Sequence, residues 1–406
     1  MEKKMIFIGS VYPESVLSTL PSLGSKIDFA AQTFQSALLE GLDKFYPDRT
    51  IITASPIDSY PKVKKVMFKR KLFSHNNHDN NGTDVFVGMV NLPLLKMLSK
   101  CIRLSREIRR QTKNEGVEYI AVVYSCVSPA LLAYWFNRRR FKMSCLIVPD
   151  LPEYVSSKKT LSYTLAKTIE KWITRPVYLA IDKFVLLSPY MREKLPIQGK
   201  QYVVVEGIYR PTKIENDFSN SESKDDTENK RKVILYTGNL NRRYGIPLLL
   251  EAFSKLGEKY ELWIRGDGET KEEIINMSKN NGRVKYIEPL DKAKLLKLLE
   301  EADVLVNPVS PNEEFTRYFF PSKTMEYIAS GTPVVMFHLA CIPEEYDDYL
   351  IYPEEYSAES FSKAIDYASS LNEIVKNNRS MSARHFIVNN KNSFVQAEKI
   401  DRLIGS

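Results

Sequence analysis

The chain has 406 residues, more than one hydrophobic core usually serves, so two domains are expected. A hydrophobic content of 43% with 11% aromatic residues excludes global disorder. The net charge of +8 is uneven: residues 1–209 carry 31 Lys and Arg against 18 Asp and Glu, and residues 210–406 carry 27 against 32. A basic first half suits phosphates or an anionic membrane surface. Cys101, Cys126, Cys145 and Cys341 have no metal-like spacing and read as reduced cysteines of a cytosolic protein. His75 and His78 form an i, i+3 pair with no supporting Cys or carboxylate cluster, so no metal site is expected there. Met5–Gly9 is too short for a secretory signal, and no apolar run approaches the roughly 20 residues that span a bilayer.

In chain order, Met5–Gly9 reads as a strand, followed by a Ser/Pro/Gly-rich loop to about Lys26. A helix is expected over Phe29–Phe45, with Phe29, Thr33, Ala37 and Leu38 on one stripe, and Thr50–Ala54 reads as a strand. Lys62–Lys71 carries six basic residues among Val63, Val66, Met67 and Phe68, and His75–Thr83 reads as a polar loop. Asp84–Val90 reads as a strand and Leu92–Lys113 as a basic amphipathic helix with Arg103, Arg106, Arg109 and Arg110. Tyr119–Ser125, Pro129–Arg138 and Ser144–Val148 read as strand, helix and strand. Pro149-Asp150-Leu151-Pro152-Glu153 then leads to a helix over Thr160–Arg175, a strand Lys183–Leu187, a helix opening at Ser188-Pro189, and Tyr202–Val205. This alternation is the pattern of a parallel α/β sheet.

Glu215–Lys232 is polar and nearly free of apolar residues, as a linker or exposed loop would be. A second alternation follows: strands at Lys232–Thr237, Tyr260–Arg265, Val284–Ile287, Val304–Val306 and Val334–Phe337. Helices are expected at Ile246–Leu256, Lys271–Asn280, Asp291–Glu300, Pro321–Ser330, Ser360–Leu371 and Ser393–Ile404. The domains are therefore placed at 1–210 and 211–375, with a C-terminal helical segment at 376–406 packing back toward the first.

The candidate chemistry sits after strands, where open parallel sheets bind ligands. Gly238-Asn239-Leu240-Asn241-Arg242-Arg243-Tyr244-Gly245 follows one strand; its glycines permit close backbone approach and its arginines suit phosphate oxygens. Arg265-Gly266-Asp267-Gly268-Glu269 follows the next, and Glu288-Pro289-Leu290 offers a backbone edge to a nucleobase. The fourth is Phe319-Phe320-Pro321-Ser322-Lys323-Thr324-Met325-Glu326-Tyr327, a helix start whose N–H groups at Ser322, Lys323 and Thr324 would favour an anion. Lys323 adds a full charge, and Glu326 lies one turn deeper on the face of Ser322.

From Val233 to Phe337 the chain resembles the donor domain of a family 4 retaining glycosyltransferase of the GT-B fold. The matching stretches are Gly238-Asn239-Leu240, Tyr244-Gly245-Ile246, Arg265 to Glu269, Glu301-Ala302-Asp303-Val304 and Phe320 to Val335. The resemblance implies an α/β protein with two Rossmann-like domains facing a central cleft. It also implies departures: Tyr318 stands where the family has the first Glu of a Glu-x7-Glu pair, Asn239 where it has Arg, and Tyr244 where it has Lys. A subgroup with Phe-Pro-Ser-Lys shares this form, and Arg242 and Arg243 would take over phosphate binding.

The implied reaction moves a sugar from a nucleoside diphosphate to an acceptor hydroxyl with retention. A diphosphate leaving group needs charge stabilisation, which Lys323, Arg243 and helix-tip N–H groups can supply without metal or cofactor. Glu326 would hold the ribose, Gly9 and Ser10 would let the first loop approach the phosphates, and Asp150 would orient the acceptor hydroxyl or donor sugar, unless it only caps its loop. The acceptor would be a saccharide or lipid-linked saccharide, met at the inner face of an anionic membrane, with no nucleic acid. Two rivals stay open: a sugar-nucleotide epimerase or hydrolase on the same fold, and a catalytically silent binding subunit.

Overall fold

The computed structural model describes residues 2–25, 27–75, 83–93, 95–125, 128–151, 161–211 and 230–406, with the side chains at 128 and 161–167 left aside. Expectations placed on Cys126, His78, the Pro152-Glu153 pair, Thr160 and most of Glu215–Lys232 lie outside those residues. The chain divides into two compact units, Met1–Ile208 with Ser393–Ser406, and Tyr209–Asn392.

The first unit runs β1 (Glu2–Gly9), α1 (Glu14–Leu17), α2 (Phe29–Leu42), β2 (Thr50–Thr53), β3 (Met67–Phe68), β4 (Lys71–Phe73), β5 (Asp84–Phe86), β6 (Met89–Val90) and α3 (Leu95–Gln111). It continues through β7 (Val117–Tyr124), α4 (Ser128–Asn137), β8 (Met143–Val148), α5 (Leu161–Ala180), β9 (Lys183–Leu186) and β10 (Gln201–Val204). The second unit holds β11 (Lys232–Asn239), α6 (Ile246–Ser254), β12 (Tyr260–Asp267), α7 (Lys271–Asn280), β13 (Val284–Ile287), α8 (Lys292–Glu301) and β14 (Val304–Asn307). After these come α9 (Lys323–Ser330), β15 (Val334–Met336), β16 (Leu350–Ile351), α10 (Ala358–Ser370) and α11 (Glu373–Asn390). The last helix, α12 (Ser393–Gly405), packs on α2 in the first unit.

Each unit is built on a largely parallel sheet. The first has the order β10-β9-β8-β7-β1-β2-β5-β4, parallel except for the β4–β5 edge. Its central strand carries the unbroken apolar run Met5-Ile6-Phe7-Ile8, every residue fully buried, because helices cover both faces. Helices α3, α4 and α5 pack side by side. The second sheet has the order β13-β12-β11-β14-β15-β16, all parallel. The strand order reverses between β11 and β14, which makes the carboxyl ends of these two strands the topological switch point. Ile234, Leu262, Val304 and Val335 form the middle of that unit's core with Phe253 and Phe361.

Local differences from the sequence reading have physical causes. Asp84–Val90 is not one strand: Gly88 takes φ +66 with Phe68 O only 2.3 Å from where a Cβ would lie, so β5 stays in the main sheet while β6 pairs with β3. Ser188-Pro189 opens a short 3-10 turn, Pro189–Glu193, and α5 runs on through Pro176 to Ala180. Of the stripe expected on α2, Ala37 and Leu38 are buried but Phe29 and Thr33 are exposed, and Gln35 and Leu39 are buried in their place; the helix starts from Asp28, whose carboxylate accepts the Ala31 N–H at 3.0 Å.

Candidate functional site

The four loops singled out in the second half do share one edge, because the strands they follow are all parallel. β11 and β12 run in register to Gly238–Gly266 and Asn239–Asp267. A Cβ on Gly266 would stand 1.9 Å from Gly238 O, and one on Gly238 would stand 2.5 Å from the Tyr236 hydroxyl. Both glycines are therefore required by protein neighbours. Gly268 is equally filled, with Leu240 C at 2.5 Å and Asn241 N at 2.7 Å from its missing Cβ. The loops brace one another: Leu240 N–H donates to Asp267 O at 2.9 Å, Glu269 N–H to Asn241 Oδ1 at 2.9 Å, and Asn241 N–H to Asn239 Oδ1 at 2.9 Å. Asn239 thus spends its side-chain oxygen on its own turn.

The two arginines of the first loop part company. Arg242 donates to Glu273 Oε2 at 2.8 Å on the exposed surface, and its N–H donates to Glu269 at 2.7 Å. Arg243 turns the other way and lies 3.8 Å over the Phe315 ring, which stacks on Phe319. Phe315 belongs to the 3-10 turn Glu314–Arg317 after β14, so Arg243 bridges the loops of the two strands that flank the switch point. Its Nε is buried without a hydrogen-bond partner among the described residues.

Helix α9 begins at Lys323 rather than Pro321, with Ser322 as its cap residue. The Thr324 N–H donates to Pro321 O at 2.8 Å, so one of the three amides expected to be free is engaged in the turn. Lys323 is half-buried, and its Nζ lies 3.5 Å from Thr237 Oγ1 at the end of β11, a distance at the limit of a hydrogen bond. Loss of water around it lowers the Lys323 pKa; the Glu326 carboxylate opposes that shift and the Arg265 guanidinium adds to it.

Three residues here had no role assigned to them from the sequence. Thr237 is held by Tyr327: its N–H donates to the buried Tyr327 hydroxyl at 2.8 Å, which donates back to Thr237 O at 3.0 Å. Arg265 donates through Nη2 to Leu290 O at 3.3 Å, tying the end of β12 to the loop after β13, and its Nε is a second buried donor without a partner among the described residues. Pro289 beside it is exposed. Arg265 stood in a quoted motif, just before its first glycine at a strand end, and that position was the available signal.

In the first unit the carboxyl edge looks different. Ser10 N–H donates to Gln35 Oε1 at 2.9 Å and Gln35 Nε2 donates to Ser10 Oγ at 2.8 Å, while a Cβ on Gly9 would sit 2.5 Å from the Phe7 ring and 2.7 Å from Gln35 Oε1. Gly9 and Ser10 are thus occupied by a fully buried glutamine. Asp150 follows β8, and its carboxyl is pushed up to about 6, first by loss of surrounding water and then by the Asp28 carboxylate. It keeps exposed surface while protein crowds its surroundings. The crowding matters more, because a carboxylate is solvated by water well beyond its contact shell.

Residues 231–370 match the family Glycosyl transferases group 1. Over the whole chain the fold is that of sucrose-phosphate synthase from Thermosynechococcus elongatus, at 14% identity and TM-score 0.62, covering 98% of each chain. It is also that of the E. coli trehalose-6-phosphate structure bound with UDP-2-fluoro glucose, at 11% identity and TM-score 0.64, covering 99% of each. Anabaena HepE in complex with UDP is similar at 12% identity and TM-score 0.58, again over 99% of each chain. The chain therefore has the GT-B fold, with two Rossmann-like units. Comparison with curated proteins gives no match.

Proposed function

We propose that the protein is a retaining, metal-independent glycosyltransferase of the hexosyltransferase type that uses a nucleoside-diphosphate sugar. The observation that carries this reading is the set of cations at the carboxyl edge of the second sheet: Lys323 at the start of α9 with its Nζ 3.5 Å from Thr237 Oγ1, Arg265 tied to Leu290 O, and Arg243 bridging the flanking loops, both guanidinium Nε atoms buried without a partner among the described residues. A diphosphate would relieve that charge, and the family match of residues 231–370 covers this whole cluster. The bond from the sugar's anomeric carbon to the diphosphate oxygen breaks, its electron pair leaves with the nucleoside diphosphate, and the acceptor oxygen bonds to that carbon from the same face as its proton passes to the departing phosphate oxygen. Lys323, Arg243 and the α9 amides stabilise the departing charge. Glu326 holds the ribose hydroxyls, the Pro289-Leu290 loop receives the base, and Asp150 orients the acceptor hydroxyl. The acceptor is a saccharide or lipid-linked saccharide of surface polysaccharide or glycolipid synthesis, met by the basic first unit at the cytoplasmic face of an anionic membrane. No helix of the described residues is long and apolar enough to cross a membrane, so the contact in this reading is peripheral.

The test is release of nucleoside diphosphate from UDP-, GDP-, ADP- and dTDP-sugars in the presence of excess EDTA. Acceptor-dependent release with one of them supports the transferase. Binding without release would support the silent subunit, and a strict need for added metal would overturn the metal-free chemistry.

A further inference from the structure

The stretch Lys62–Phe73 and the helix α3 are separate in sequence but form one surface. Six of the twelve residues of Lys62–Phe73 are basic and none is acidic. Helix α3 carries six basic residues and a single acid, Glu107. That acid is buried and accepts both prongs of Arg70, Nε at 2.9 Å and Nη2 at 3.0 Å, which pins the basic stretch to the helix. Arg110 adds a third contact to Glu107 at 3.3 Å. Asn91 holds the same stretch from below, its N–H on Val66 O at 2.7 Å and its Nδ2 on Lys65 O at 3.1 Å. With Glu107 neutralised, these two segments present only positive charge to solvent.

Apolar side chains project from among these cations. Only Val63 and Phe68 of the stretch are buried anchors, whereas Val66, Met67 and Leu72 are exposed. On α3, Leu95, Leu98 and Ile102 follow one another at i, i+3, i+7 and are 50%, 58% and 41% exposed; the same exposed stripe continues into Arg106 and Arg109. An apolar half and a cationic half on one solvent-facing helix stripe is the pattern of an element lying in a bilayer interface. Helix α8 carries three lysines but exposes no large apolar side chain, so it serves as a basic surface without the apolar half. Nucleic acid is a poorer match, because the exposed apolar groups here are aliphatic and offer no stacking platform.

We infer that the first unit docks on the surface of a bilayer rich in anionic phospholipid through the face made by Lys62–Phe73 and α3, with Leu95, Leu98 and Ile102 entering the headgroup boundary. This names the surface by which the proposed transferase meets its membrane and so rests on that reading, although docking can be measured with no sugar nucleotide present.

The full-length chain is co-sedimented with vesicles of phosphatidylglycerol and phosphatidylcholine, and with phosphatidylcholine alone. Binding is expected only to the anionic vesicles and to weaken with salt. Each basic group near an anionic leaflet raises partition roughly fivefold, so joint Lys64→Gln, Lys65→Gln and Lys69→Gln is expected to cost about 100-fold. Joint Leu98→Ser and Ile102→Ser is expected to cost about tenfold. Joint Lys292→Gln, Lys294→Gln and Lys297→Gln on α8 is expected to change nothing. As a direct probe, Leu98→Trp should gain fluorescence that brominated lipid quenches. Equal vesicle binding by the wild type and both patch variants, an unquenched Leu98→Trp, or tight binding of a single-stranded oligonucleotide with none of vesicles would each overturn the inference. Absence of docking by the wild type to anionic vesicles, with nucleoside diphosphate release intact, refutes this surface alone; intact docking with no release from any sugar nucleotide refutes the transferase reading alone.

Discussion

Gly9–Ser10 and Gly238–Asn239 occupy equivalent places, each ending a central strand at the carboxyl edge of its own parallel sheet. In the first unit both polar groups of Ser10 are claimed by Gln35, which reaches in from α2 and is itself fully buried. In the second, the loop turns its polar groups onto itself and its neighbour loop, and leaves Lys323, Arg243 and Arg265 around the edge with donor capacity to spare. One topology thus gives an edge filled from its own covering helix and an edge with unpartnered cationic donors. What separates them is whether a side chain from the covering helix plugs the gap.

The sharpest break of that contrast is Lys323→Ala, which is expected to lower turnover about 10²- to 10³-fold with the fold retained; unchanged rates in a transfer assay would remove the lysine from the chemistry. On the closed edge, Gln35→Ala strands the Ser10 N–H and hydroxyl and should cost about 1–3 kcal/mol in denaturant unfolding, with no change in nucleotide affinity. A third lever is pH. The Asp150 pKa is raised to about 6, so the carboxyl is neutral below that value and ionised above it. If the ionised form orients the acceptor, kcat/KM falls as pH drops through about 6, by about tenfold at pH 5, and Asp150→Asn abolishes that limb at the cost of overall rate. The smallest effect is expected for Arg242→Ala, because that guanidinium is spent on an exposed pair with Glu273; turnover should stay within about twofold.

The second unit was the more legible half. Its strands are short apolar runs, and several of its helices open on a capping side chain, as where the Asp291 carboxylate accepts the Lys294 N–H at 2.9 Å. Helix α11 was legible only as part of a C-terminal helical segment, because just Ala383, Phe386 and Ile387 of its 18 residues are buried and no strong apolar stripe marks its start. At the site, Lys323 and Glu326 could be read from one motif. The roles of Thr237, Arg265 and Tyr327 could not, since Thr237 and Tyr327 meet across 90 residues and the Arg265–Leu290 tie joins two strand ends. The glycines have a structural reason as well: Gly238, Gly266 and Gly268 are demanded by neighbouring backbone and by the Tyr236 hydroxyl, which local sequence does not disclose. Gln35, a polar residue on the buried face of α2, was the one clue that Ser10 had a partner.

The proposed diphosphate site at the start of α9 is the centre of the functional reading. Its most direct test is a binding titration of the preferred nucleoside diphosphate against the wild type, Lys323→Ala and Arg242→Ala side by side. A Kd raised about tenfold or more for Lys323→Ala, and unchanged for Arg242→Ala, is the predicted result; equal affinity in wild type and Lys323→Ala, or a loss confined to Arg242→Ala, would contradict it.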